Sequence, residues 1–145
     1  MSLFTDLTAA IAARLASDDY FATPPAIGIL TERAGDLEHT IARALQKIGV
    51  GLLILTPKIA RGGEPNILQV VLTIHLIEHV TINQSASGTK KPASDIAATA
   101  IALLENWAPD DIWSPLRFIS MTLIDPGKTI VYELELHTHT LLATA

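Results

Sequence analysis

The chain has 145 residues, of which 49% are hydrophobic and 17% charged, a composition that excludes a disordered chain and implies one core. Ten basic against fifteen acidic residues leave a net charge of -5, which disfavours a nucleic-acid binder because phosphate contacts need clustered Lys and Arg, and Lys90-Lys91 is the one basic pair. The absence of cysteine excludes disulfides, thiolate nucleophiles and Cys-ligated zinc, and no apolar run approaches the roughly 20 residues of a membrane span.

The start, MSLFTDLTAAIAARL, has an early Asp6, no basic flank and spaced apolar residues, so a soluble chain made in the cytoplasm without a signal peptide is expected. Phe4, Leu7, Ile11 and Leu15 fall at helical spacing behind a Ser2 cap, and the helix should end near Ser17-Asp18-Asp19. After Thr23-Pro24-Pro25, AIGIL reads as a strand. Asp36 caps a helix whose inner face is Leu37, Ile41, Ala44 or Leu45, and Ile48, closed by Gly49 in the left-handed conformation.

From Val50 the texture becomes that of strands: VGLLILTPKIA, the turn RGGEPN, then ILQVVLTIHLIEHVTI, a β-hairpin spanning Leu52 to Ile82. The small polar stretch over residues 83–93 is expected to be a mobile loop. Ser94 or Asp95 caps a helix with Ile96, Ala100, Leu103, Leu104 and Trp107 on one side, and Pro109 ends it. Two strand runs, LRFISMTLI and TIVYELELHTHTL, close the chain around the turn Asp125 to Lys128. The order αβαββαββ predicts a single α+β domain over residues 1–145, with a mainly antiparallel sheet, helices on one face and a long projecting hairpin.

His75 to His79 carries H-x-x-E-H, which on a helix would gather two imidazoles and a carboxylate round a zinc ion. Here even positions 68 to 82 are apolar apart from Glu78, and odd positions include Gln69, Thr73, His75 and His79, which is strand alternation. On a strand the two histidines lie about 13 Å apart with Glu78 on the other face, too far for ligands that sit about 2 Å from zinc. In the last strand Glu135, His137 and His139 share a face, and a His-x-His pair can chelate if a neighbouring strand adds a third ligand; a hydrated polar face is the simpler reading.

Glu78 is the one charge on an apolar strand face, and a buried carboxylate is costly unless partnered. It should therefore lie where the strand leaves the core for solvent, or meet a cation, either of which could put it at a subunit boundary. A strand of about sixteen residues would span about 50 Å and leave sheet edges open to another subunit. There is no Walker-type G-x-x-x-x-G-K, no G-x-G-x-x-G after a strand and no G-x-S-x-G elbow, so no catalytic residue or cofactor site is assigned.

The layout of LFTDLTAAIAARL, VVLTIHLIEHVTINQ, SASGTKKPAS, AIALLENWAP and a closing strand pair resembles the lambda-type tail-terminator or tail-completion proteins of tailed phages and prophages, across nearly the full chain. That resemblance implies a non-enzymatic structural protein, made in the host cytoplasm and found in the virion tail. It implies a self-associating ring, typically a hexamer, that caps the tail tube and joins it to head or neck proteins, without nucleic acid, membrane or cofactor. In such a ring the loop and the outer hairpin would make contacts, with Lys90 and Lys91 meeting acidic surface of a neighbour such as Glu78. Another neck or tube-associated protein shares that role with a different partner. The alternative from a different class is a small metal-binding or hydrolytic domain built on Glu135, His137 and His139.

Overall fold

The computed structural model describes residues 3–32, 37–61 and 66–141, with the main chain alone for residues 37–40. In chain order the elements are α1 (Leu3–Ala16), α2 (Asp19–Ala22), β1 (Gly28–Thr31), α3 (Leu37–Lys47), β2 (Val50–Ile54), β3 (Lys58–Arg61), β4 (Ile67–His79), α4 (Val80–Asn83), α5 (Ala93–Leu104), β5 (Arg117–Asp125) and β6 (Thr129–Leu141). The strands form one sheet in the order β1-β2-β4-β6-β5, with β3 also paired to β4. Every pairing is antiparallel except β1 with β2, which α3 connects as a crossover. The fold is α+β.

β4 and β6 pair from Ile67↔Leu141 to His79↔Thr129, so the two longest strands are each other's neighbours over all thirteen residues. Their even positions carry the core: Val70, Leu72, Ile74, Leu76, Leu134 and Leu136 are buried, and the odd positions are half-buried or exposed. Leu7, Ile11 and Leu15 of α1 and Ile96, Ala97, Ala100 and Leu104 of α5 cover that face. Each fully buried Leu or Ile contributes about 1.5–3 kcal/mol relative to exposure, so this layer dominates the stability. The helical stripe of α1 is the one the sequence predicts.

α3 lies on the other face, at the β1–β2 end. Gly28 and Gly51 are register partners there, and a Cβ on Gly28 would touch the Ala44 side chain of α3 at 3.8 Å. Both faces of β2 are covered in consequence, and all five of its residues are buried. The expected caps Ser2 and Asp36, the turn residues 62–65 and the side chain of Leu37 lie outside the described residues.

Several boundaries differ from the expectation, each for a local reason. VGLLILTPKIA is two strands, interrupted where Pro57 removes a donor, and both flank β4 on the same side. Asp18 starts an unforeseen turn of helix, α2, by accepting from the Tyr20 N–H at 3.1 Å. β4 stops at His79 rather than Ile82, because the His79 Nδ1 accepts from the Ile82 N–H at 3.3 Å and the chain coils into α4. α5 ends at Leu104, so Trp107 packs on the core from beyond the helix instead of along it.

Gly49 adopts φ 84°, the left-handed conformation expected after α3, and a Cβ there would collide with the backbone of Asn83. Gly127, at φ 136° in the β5–β6 turn, faces open space. Gly49→Ala is therefore expected to cost about 2 kcal/mol or more, from backbone strain plus overpacking, whereas Gly127→Ala costs about 1 kcal/mol. Urea unfolding of the two variants measures the difference.

Candidate functional site

Glu78 ends the buried face of β4 at 4% exposure. One carboxylate oxygen accepts from the Asn83 side-chain amide at 2.7 Å and the other from the Ala93 N–H at 3.0 Å. Ala93 is the first residue of α5, and the N-cap residue Pro92 makes no side-chain cap bond. A carboxylate fifteen residues upstream thus caps this helix, where the partial positive charge of the helix N-terminus and unpaired N–H groups stabilise an anion. Neither Ser94 nor Asp95 supplies the cap, as the sequence had suggested.

Asn83 organises the segment that follows. It is fully buried, and its amide NH2 also donates to the Lys91 carbonyl at 2.7 Å. Its side-chain oxygen accepts from the Thr89 N–H at 3.1 Å and the Thr89 hydroxyl at 2.5 Å. Its carbonyl accepts from the Lys90 N–H at 2.9 Å, and Gly88 is buried so close to that carbonyl that a Cβ there would strike it. The stretch expected as a mobile loop is thus wound round one asparagine, with the Lys91 ammonium donating to the Tyr20 carbonyl at 2.6 Å and lying 4.2 Å from the Tyr20 ring centre.

These contacts correct the expected lysine pairing. Glu78 is buried, and among the described residues no cation pairs with it; its oxygens are used by its own chain, so it offers no acidic surface to Lys90 or Lys91 of a neighbour. Lys91 is half-buried against α2, and Lys90, at φ 62°, is exposed.

The H-x-x-E-H residues point to three places: His75 to the open sheet face, Glu78 to the core and His79 to the start of α4. On the open face His75 Nε2 lies 3.1 Å from the Glu133 carboxylate. His137 Nε2 lies 2.7 Å from Glu135, and His137 Nδ1 lies 3.1 Å from the Gln69 amide nitrogen. Both His137 nitrogens are engaged, and His139 is exposed at the next odd position. Among the described residues no group of three or more His, Asp or Glu could hold a metal ion. No described helix is long and apolar enough to cross a membrane.

Sequence reasoning missed the surface of β5. This strand is the sheet edge, and Ile119, Met121, Leu123 and Ile124 are 40–48% exposed. The signal was present: apolar residues occupy both parities of RFISMTLID, where a half-buried strand would alternate. Bulges between Phe118 and Ser120 and between Leu123 and Asp125 add two residues without a register partner, Ile119 and Ile124. Phe118 is the exception to the bare edge, its N–H donating to the Glu105 carboxylate.

Glu78→Ala leaves the Asn83 amide and the Ala93 N–H without their buried acceptor. The expected loss is about 3 kcal/mol, against less than about 0.5 kcal/mol for Lys90→Ala on the exposed side of the same loop. Chemical denaturation of both variants tests the contrast.

No family model and no curated protein matches the chain. Solved structures do. A chain from the virion of a native gene transfer agent particle aligns over 97% of this chain and 99% of its own, at 14% identity and a TM-score of 0.62. A second solved chain, whose name states no function, aligns over 99% of this chain and 100% of its own, at 14% identity and a TM-score of 0.58. At that identity the likeness is one of fold: two chains of nearly the same extent share this arrangement from end to end.

Proposed function

We propose that the chain is a non-enzymatic structural protein of a phage-type tail, a ring-forming subunit that terminates or completes the tail tube and joins it to the head or neck. The observation that carries this reading is the end-to-end fold likeness to a chain of a virion, which agrees in kind with the sequence resemblance to tail terminators. The surfaces support the same reading. His75 and His137 are engaged by carboxylate and amide partners, and among the described residues the exposed features include sheet edges and apolar side chains. A ring built from one chain needs two different surfaces on opposite sides of the subunit, and an open sheet supplies them in its two edges.

On this reading the partners are further copies of the chain and the tail-tube and head or neck proteins at the two openings of the ring. The virion tail is its final location, after assembly in the host cytoplasm.

Native mass spectrometry over a concentration series, with and without stoichiometric zinc, followed by electron microscopy, tests this function. A closed oligomer, expected to be a hexamer, that takes up no zinc is the predicted outcome. A monomer binding one zinc per chain, with uptake lost in His137→Ala or His139→Ala, would replace the tail-ring reading with the metal-binding alternative.

A further inference from the structure

The two lateral edges of the sheet differ in a way that suits them to each other. On one side, among the described residues, β5 pairs only with β6, so alternate N–H and C=O groups along it face outward. From Phe118 to Ile124 it carries no charge to guard that edge, and its centre is apolar and exposed. On the other side the strand order ends at β1, and β3, which lies off that order, forms a second, separate stretch of edge: among the described residues it pairs only with β4, and all four of its residues are exposed. Beside it, α1, the end of β2 and the residue after β1 form a groove lined by Phe4, Ile54, Pro57 and Ile59, with three threonines and the Glu32 carboxylate completing its wall.

We infer that β5 of one copy adds to β3 of the next, continuing the sheet head to tail with the apolar side chains of β5 entering the groove beside β3. The inference rests on the ring reading above and names its seam.

Three features of the register support the fit. Strand direction is the first: β3 and β5 both follow from β4, β3 running antiparallel to it and β5 parallel to it through β6. If the sheet simply continues, β5 and β3 meet antiparallel, the more stable pairing. Facing is the second. Met121 and Leu123 are register partners of Leu134 and Tyr132, on the helix-covered face, and Ile59 partners buried Val70 on that same face. The exposed apolar groups of both edges, 40% and 48% for Met121 and Leu123 and 47% for Ile59, would therefore bury one another.

Charge is the third. Lys58 partners Val71 on the open face, and on that face Ser120 and Thr122 of β5 stand next to Glu135 and Glu133 of β6. Across the seam the Lys58 ammonium would approach the glutamate row, two strand spacings or about 10 Å from its own backbone, within reach of a long flexible side chain. A seam that joins two β5 edges instead would place no cation of β3 near those glutamates.

Because the chain has no cysteine, a cross-link can be directed without background. Ile59→Cys is combined in turn with Met121→Cys and with Leu123→Cys, all at exposed positions, and treated with a short bismaleimide that tolerates small differences of register. Native mass spectrometry of the same samples reports the oligomer. The expected result is a ladder of covalent oligomers, up to the ring size, from the double variants and almost no cross-linking from any single variant. Oligomers without a ladder would overturn the seam and leave the ring reading standing. Dimers from Met121→Cys alone would mean a two-fold β5–β5 contact and overturn the seam. A monomer at every concentration, without cross-links, would overturn both. Met121→Glu is expected to raise the concentration needed for half-assembly at least tenfold.

Discussion

The thirteen-residue pairing of β4 with β6 sets the position of everything else in this protein. Because side chains alternate across a strand, one ladder fixes both the apolar face that α1 and α5 must cover and the polar face left to water. It also fixes the flanks, since β2 and β3 share one side of β4 and β5 takes the free side of β6. At about 3.3 Å per residue the ladder is about 43 Å long, whereas the fourteen residues of α1 reach about 21 Å. The helices therefore run out before the sheet does. Ile59 near one end of the ladder, and the side chains of β5 at its lateral edge, remain uncovered.

At the other end of β4 a single carboxylate is kept in the core. Burying Glu78 is tolerable because two donors converge on it, one from an asparagine and one from the first N–H of α5. The arrangement joins elements distant in sequence: the end of the central strand, the loop after it, the start of α5 and, through Lys91, the turn of α2. Its steric counterpart is glycine. Gly49 and Gly88 press against Asn83 from two directions, each where a methyl group would collide. A loop built this way turns its polar groups inward onto Asn83 and leaves Lys90 exposed on its outer side.

The open face and the edges play different parts. On the face, imidazole and carboxylate pairs alternate along β4 and β6, a surface that stays hydrated and satisfies its own polar groups. The edges carry the unsatisfied backbone and the exposed apolar groups, which is where a sheet protein that must not aggregate at random would need a specific partner. Assembly through edges would also leave the core unchanged by association, since no core residue has to move.

Much of the fold was written in local patterns. The Leu7, Ile11 and Leu15 stripe, the alternation in β4 and β6, the left-handed Gly49 and the turn before β6 depend on neighbours a few residues apart, and local spacing determines them. Strand alternation was enough to put Glu78 on the face opposite His75 and His79 and to hold the two histidines too far apart for one metal ion, but not to show His79 turning to the start of α4. What local pattern could not determine were the relations across the chain. Glu78 looked like a misplaced surface charge because its acceptor role is fixed by Asn83 and Ala93, and their proximity exists only after β4 turns back through α4. β5 read as an ordinary strand because edge or centre is a property of sheet order, and only tertiary pairing placed β6 on one side of it and no described strand on the other. Periodicity along a chain records which face is buried; what lies beside a strand is decided by long-range contacts.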